Sequence, residues 1–183
     1  FPAISTILLN VNAKNTNVIL GEETLTLSGP GYLEDTLCGV PVRLGPLSFY
    51  QVNRAQAEKL YKKAAEYAVD KKIKLLLDLY CGAGTIGLSM ADKAEELIGI
   101  ETVAPAIEDA RRNAEMNALA HKARFICADA GIEIPRLIRA GERFDGMIVD
   151  PPRKGCDPAL INAIISAETE RVAYVSCDPG TLA

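Results

Sequence analysis

Leu75-Leu76-Leu77-Asp78-Leu79-Tyr80-Cys81-Gly82-Ala83-Gly84-Thr85 is the stretch whose reading decides the fold. The run 75–79 is apolar except for Asp78. A short, nearly continuous apolar run indicates a strand buried on both faces, as in a parallel sheet covered by helices. Gly82 and Gly84 follow at once, and glycine lets a backbone turn tightly and approach a ligand closely. Four more apolar runs follow, at 97–100, 123–127, 146–149 and 172–175. Helical segments start near Thr85, Val103, Ala130 and Asp157. Right-handed crossovers between such runs give a doubly wound, Rossmann-like α/β architecture over residues 53–183.

Upstream, the pattern differs. Asn53 is a good helix N-cap, and Ala57, Leu60, Tyr61, Ala64, Ala65 and Ala68 recur at helical spacing. Residues 1–52 read as a β-rich segment, expected to be a small meander packed on the main domain. Its runs are 7–12, 24–27 and 41–44, punctuated by Gly21, Gly29-Pro30-Gly31 and Gly45-Pro46.

The chain has 183 residues, of which 49% are hydrophobic, enough for one full core plus a small attachment. Its net charge of -4, from 24 acidic and 20 basic residues, lacks the basic footprint usual for nucleic-acid binding. An RNA or DNA partner must then be held locally or by another part of the protein. The five cysteines are widely spaced and include no C-x-x-C pair, so neither a disulfide framework nor a zinc site is expected. A reducing cytoplasm is the simpler expectation. No apolar run reaches the ~18 residues of a membrane span, and no signal segment opens the chain. The chain begins without Met and ends at Ala183 in what reads as a loop. A fragment of a longer protein is expected, lacking the last sheet strands.

Chemistry concentrates where the strands end, which is where open α/β sheets bind ligands. The glycines are read as a G-x-G pair without the third glycine of a dinucleotide fingerprint, a weak signal alone. Glu101 at the end of the second run strengthens it, because a carboxylate there can accept from both hydroxyls of a ribose. Asp129 ends the third run and could meet an adenine amino group. NAD and S-adenosyl-L-methionine both fit a ribose acid. Asp78 would repel a pyrophosphate and favour an ammonium, which puts S-adenosyl-L-methionine ahead. The plainer alternatives are Asp78 as an acceptor for loop N–H groups and Glu101 as a solvated acid.

Asp150-Pro151-Pro152-Arg153-Lys154-Gly155 follows the fourth run. Asp-Pro-Pro resembles the motif of enzymes that methylate exocyclic amino groups, but Arg153 replaces the aromatic residue that stacks on the base. Two prolines stiffen the loop and two cations can hold phosphate; a rigid turn with a solvated Arg-Lys pair is the alternative. Tyr174-Val175-Ser176-Cys177-Asp178-Pro179-Gly180 ends the fifth run. Cys177 there is a candidate nucleophile, or else a buried filler, as expected for Cys81, Cys127 and Cys38. Cys156 is expected in an exposed loop without a role. A thiolate suits methylation at C5 of a pyrimidine. Attack on C6 moves electron density to C5, a base later removes the C5 proton, and the target must be unstacked.

Four stretches, taken in order and spacing, resemble the RNA uracil-5-methyltransferase family, closest to its bacterial 23S ribosomal RNA branch. They are Ser48-Phe49-Tyr50-Gln51-Val52-Asn53, the Asp78–Thr85 segment, Ile148-Val149-Asp150-Pro151-Pro152-Arg153-Lys154-Gly155, and Val175-Ser176-Cys177-Asp178-Pro179. The resemblance implies a Rossmann-like S-adenosylmethionine-dependent methyltransferase fold and methylation of uracil C5 in RNA through a covalent cysteine–C6 adduct. It makes Cys177 the nucleophile and Gln51, Tyr80, Glu101 and Asp150 cofactor-contacting. Thr85, where relatives often have Asn, and Asp129, at a cofactor-side position that varies, are expected as further cofactor-binding residues. Family members carry an N-terminal RNA-binding barrel and many an iron–sulfur cysteine cluster; both would belong to a preceding segment. The catalytic base is a downstream glutamate, expected beyond Ala183, so this piece alone is expected to be inactive. Ribosomal RNA is the expected partner; no membrane or protein partner is implied. Methylation of an amino group and a non-catalytic nucleotide- or RNA-binding module remain the rival readings.

Overall fold

A computed structural model describes residues 4–13, 19–21, 23–178 and 180. Two hairpins come first: β1 (Ile7–Val11) with β2 (Glu23–Ser28), and β3 (Leu33–Leu37) with β4 (Val40–Leu44). The β character expected of this segment takes the form of two separate two-stranded sheets rather than a continuous meander. The physical reason lies in Gly29-Pro30-Gly31. Both glycines have positive φ, at 79° and 81°, and Pro30 has no N–H to give a ladder.

The remaining elements alternate. They are α1 (Arg54–Ala68), β5 (Ile73–Leu79), α2 (Thr85–Ser89), a 3-10 turn at Ala91–Lys93, β6 (Ala94–Glu101), α3 (Ala104–Met116), β7 (Ala123–Cys127), α4 (Ala130–Arg139), β8 (Gly146–Val149), α5 (Pro158–Ser166) and β9 (Arg171–Tyr174). Side-chain caps fix three helix starts. Asn53 accepts from the N–H of Gln56, Asp129 from Ile132 and Asp157 from Leu160. The five strands are parallel in the order β7-β6-β5-β8-β9. The order reverses at β5, so a crevice opens between the carboxyl ends of β5 and β8.

Alternation along the strands divides the core. Leu76, Leu97, Phe125 and Ile148 pack on the face carrying Ala57, Tyr61 and Ala64 of α1 and Ala110 of α3. Leu75, Leu77, Leu79, Met147 and Val149 pack on Ile134 and Leu137 of α4 and Leu160 of α5. Each fully buried leucine contributes about 2 kcal/mol of transfer free energy. The hairpin β3–β4 docks on α3 through Asn113, which is fully buried. Its Oδ1 accepts from the N–H of Arg43 at 2.7 Å, and its Nδ2 donates to the carbonyls of Arg43 and Ala83 at 3.1 and 3.0 Å. One amide thus ties the hairpin to the loop after β5. Among the described residues no helix is long and apolar enough to cross a membrane.

Candidate active site

The loop after β5 is built from three left-handed residues: Tyr80 (φ 60°), Gly82 (φ 52°) and Gly84 (φ 79°). For Tyr80 this conformation costs about 1–2 kcal/mol. The loop is held by Cys81 N–H donating to the Ile100 carbonyl at 3.2 Å and Gly84 N–H to the Cys81 carbonyl at 2.8 Å. Gly87 completes a G-x-G-x-x-G spacing with Gly82 and Gly84, a third glycine that the two-glycine reading leaves out. A Cβ on Gly87 would stand 2.8 Å from Asp78 Oδ2 and 2.9 Å from Leu97 Cδ1. That glycine permits the close approach of α2 to the sheet. The spacing therefore does not separate NAD from S-adenosyl-L-methionine.

Asp78 lies beneath the loop with no exposure, and its Oδ2 accepts from the Gly87 N–H at 2.9 Å. It does not line the crevice, so the expectation that it meets a ligand ammonium is corrected in favour of the loop-acceptor alternative. Burial, then the neighbouring Asp150 and Glu101 carboxylates, outweigh the Gly87 bond and push its pKa up to about 7.

Above the loop is a cleft of about 1070 Å³, roomy by the standard of small-molecule sites. Gln51, Tyr80, Thr85, Glu101, Asp129, Asp150 and Cys177 all line it. They come from the segment 45–53 before α1, from the carboxyl ends of β5, β6, β7, β8 and β9, and from the start of α2. A small recess of about 20 Å³ opens beside it, sharing Tyr80, Glu101, Thr102, Asp129 and Asp157.

The polar groups are differently engaged. Glu101 Oε1 accepts from Thr102 N–H at 2.7 Å, Thr102 Oγ1 at 3.1 Å and Val103 N–H at 3.0 Å, while Oε2 has the longer bond from Gly82 N–H at 3.3 Å. Asp129 Oδ1 accepts from Ile132 N–H as the cap of α4. The hydroxyls of Thr85 and Tyr61 meet at 3.1 Å in the interior. Burial raises Asp150 to about 6 and, with Asp157 and Cys156 nearby, Tyr80 to about 12. Cys177 is exposed on the cleft wall. Beside it Ser176 Oγ donates to the Asp178 carbonyl at 2.8 Å, and Gly180 N–H donates to Asp178 Oδ1 at 2.9 Å. Pro179, part of the expected turn, lies outside the described residues.

The other cysteines sort differently from expectation. Cys81 is buried and Cys38 half-buried, but Cys127 is exposed, its Sγ 3.5 Å from the Thr102 carbonyl. It closes the edge strand β7, where no further strand covers it among the described residues. Cys156, expected on an exposed loop, is half-buried in the cleft wall.

A family model described as tRNA (Uracil-5-)-methyltransferase matches residues 41–183. The chain belongs to the tRNA (uracil-5-)-methyltransferase family. An RNA methyltransferase of Bacillus cereus, itself described as uncharacterized, is 46% identical over the whole chain. One from Enterococcus faecalis is 43% identical. The chain spans 40% of the length of these relatives. The tRNA (uracil-54, C5)-methyltransferase of Pyrococcus abyssi, solved with S-adenosyl-L-homocysteine, superimposes with a TM-score of 0.76. It is 33% identical, over 97% of this chain and 42% of that one. A putative methyltransferase solved with S-adenosyl-L-homocysteine has a TM-score of 0.54 at 16% identity, which shows the shared Rossmann-like fold alone.

This member of the uracil-5-methyltransferase family also lines its cleft with residues that the motifs did not single out for it: Leu60, Tyr61, Thr102, Cys156 and Asp157. Tyr61 has the helical spacing of an ordinary core residue, and nothing local distinguishes it. Phe49, 74% exposed on the cleft rim, was within reach, because an apolar side chain two residues before a site residue faces the same way in an extended segment.

Proposed function

We propose that the cleft holds S-adenosyl-L-methionine toward the ends of β5, β6 and β7 and an unstacked uracil toward β8 and β9, and that the whole protein methylates uracil C5 in RNA. The observation that carries this is the continuity of the cleft: Glu101, Asp129 and Cys177 share one wall system. The fit of the cofactor rests on its donor set. Glu101 Oε2, with a single long bond, can accept from ribose hydroxyls. Asp129, with Oδ1 spent on its cap, presents Oδ2 to an amino group. Gln51, Tyr80, Thr85 and Asp150 border the remaining length. When bound, the cofactor supplies an electrophilic methyl carbon.

Cys177, as thiolate, gives an electron pair to C6 of uracil. The C5–C6 π pair moves onto C5 and O4; with the cofactor bound, C5 would take the methyl carbon as the methyl–sulfonium bond breaks, its electron pair staying on sulfur as S-adenosyl-L-homocysteine leaves. Loss of the C5 proton to a base re-forms the double bond and expels the thiolate. No residue of this chain is assigned as that base. Pro151 and Pro152 keep the loop rigid beside the target, and the exposed Arg153 and Lys154 can hold backbone phosphates. Residues 1–52 would act as an attachment to the catalytic unit 53–183. Ribosomal RNA is the substrate that the motif resemblance favours, in the cytoplasm, where the five free thiols are stable.

The test is product analysis of the full-length protein with S-adenosyl-L-methionine and separate ribosomal and transfer RNA pools. The expected product is 5-methyluridine in ribosomal RNA, with Cys177→Ala losing at least about 10³-fold in rate. A methyl on nitrogen would support the amino-group rival. No calorimetric preference for S-adenosyl-L-methionine over NAD or ATP would support the non-catalytic one.

A further inference from the structure

Gln51 stands on a strap, residues 45–53, that is fastened near both ends and at Tyr50. At its start Asp109 of α3, 5% exposed, accepts through Oδ2 from the Gly45 N–H and the Ser48 hydroxyl, both at 2.7 Å. At its end Asn53 caps α1. Between these points Phe49 and Gln51 line the cleft, whereas Tyr50 does not. Tyr50 packs on the core cluster of Val42, Leu44 and Ala83. Its hydroxyl donates to Asp35 Oδ2 on β3 at 2.7 Å. Asp35 is held in turn: its Oδ1 accepts from Thr36 N–H at 2.7 Å and lies 3.5 Å from Arg54 Nη1. Arg54 also pairs with Glu58, which accepts from the Cys38 N–H at 3.2 Å.

We propose that Tyr50 and Asp35 are positioning residues for the cofactor: their bond on the far side of the strap sets where Gln51 stands in the cleft. The inference rests on the reading of the cleft as an S-adenosyl-L-methionine site. An amide on a surface loop would sample many positions and lose entropy on meeting a ligand. A buried-side anchor one residue away removes most of that loss. The hairpin β3–β4 thereby acts on the cofactor without touching it.

The experiment is calorimetric titration of the full-length protein with S-adenosyl-L-homocysteine. Tyr50→Phe, which keeps the ring and its packing, should weaken binding about five- to tenfold, and Asp35→Asn by a similar factor. In a Gln51→Ala background Tyr50→Phe should produce no further loss, because the residue it positions is gone. A purely structural Tyr50 would instead add its full effect to that of Gln51→Ala. Unchanged affinity of both Tyr50→Phe and Asp35→Asn, or full additivity with Gln51→Ala, would overturn the inference while leaving the cofactor site intact. Absence of binding by the folded wild type would overturn the cofactor reading, and this inference with it.

Discussion

Asp78 carries a carboxyl group beneath the loop between β5 and α2. It has no exposure; Oδ2 is committed to the Gly87 N–H, and Oδ1 has no partner among the described residues. A carboxylate in that position is costly when charged. Its pKa of about 7, against an ordinary 3.8, means the folded state holds the proton more tightly than the unfolded chain. Its contribution to stability is therefore full below about pH 4 and is lost as pH rises through 7. Asp150, raised to about 6, acts in the same direction, whereas Asp35, held low chiefly by the Tyr50 hydroxyl, acts in the opposite one. The informative quantity is thus a difference between variants. Asp78→Asn keeps an acceptor for Gly87 and removes the charge. Urea-unfolding free energies of wild type and Asp78→Asn should diverge between pH 4 and pH 7, with the variant gaining on the wild type by up to roughly 4 kcal/mol. Parallel pH profiles would show that Asp78 is not neutral in the folded state.

At the scale of elements, the turn from β5 into α2 assigns different work to glycines of one motif. Gly84 faces inward: a Cβ there would meet the Phe125 ring at 3.1 Å and Ala110 Cβ at 3.2 Å, at a φ of 79°. Gly82 faces the cleft with open space around it, and only its φ of 52° resists a side chain. Gly84→Ala should cost about 2–3 kcal/mol of stability, and Gly82→Ala about 1 kcal/mol. In contrast, S-adenosyl-L-homocysteine affinity should suffer more from Gly82→Ala, whose methyl enters the cleft. Thermal melts and titrations of the two variants read both orders. This element was legible because its signals are local: an apolar run, glycines, then a helix. The runs 123–127 and 146–149 coincide with β7 and β8, and Thr85, Ala130 and the cap Asp157 mark helix starts as expected. The strand β3 was not legible. Leu33-Glu34-Asp35-Thr36-Leu37 has two adjacent acids and no alternation, and it is a strand because β4 pairs with it and Leu37 is buried under α1. The acceptor role of Asp78 was one of two readings the sequence left open, and only its burial beneath the loop, a tertiary fact, decides between them.

The whole molecule turns on topology. The strand-end motifs from Tyr80 to Cys177 reach one cleft because the strands are parallel and all end at the same edge of the sheet. That convergence could be foreseen from the strand–helix alternation, whereas the side-chain partners of Glu101 and Thr85 could not. On the proposed reading, a net charge of -4 offers RNA no general attraction, and the exposed Arg153 and Lys154 at the cleft are the local cations that can hold its phosphates. The central claim is that the Cys177 sulfur bonds to a pyrimidine inside this cleft. It is tested most directly by peptide mapping of the full-length protein after reaction with S-adenosyl-L-methionine and RNA containing 5-fluorouridine, whose C5 fluorine cannot leave as the proton does. The account predicts one methylated nucleotide adduct on the peptide carrying Cys177, absent from Cys177→Ala. An adduct on Cys156, or an adduct that persists in Cys177→Ala, would contradict it.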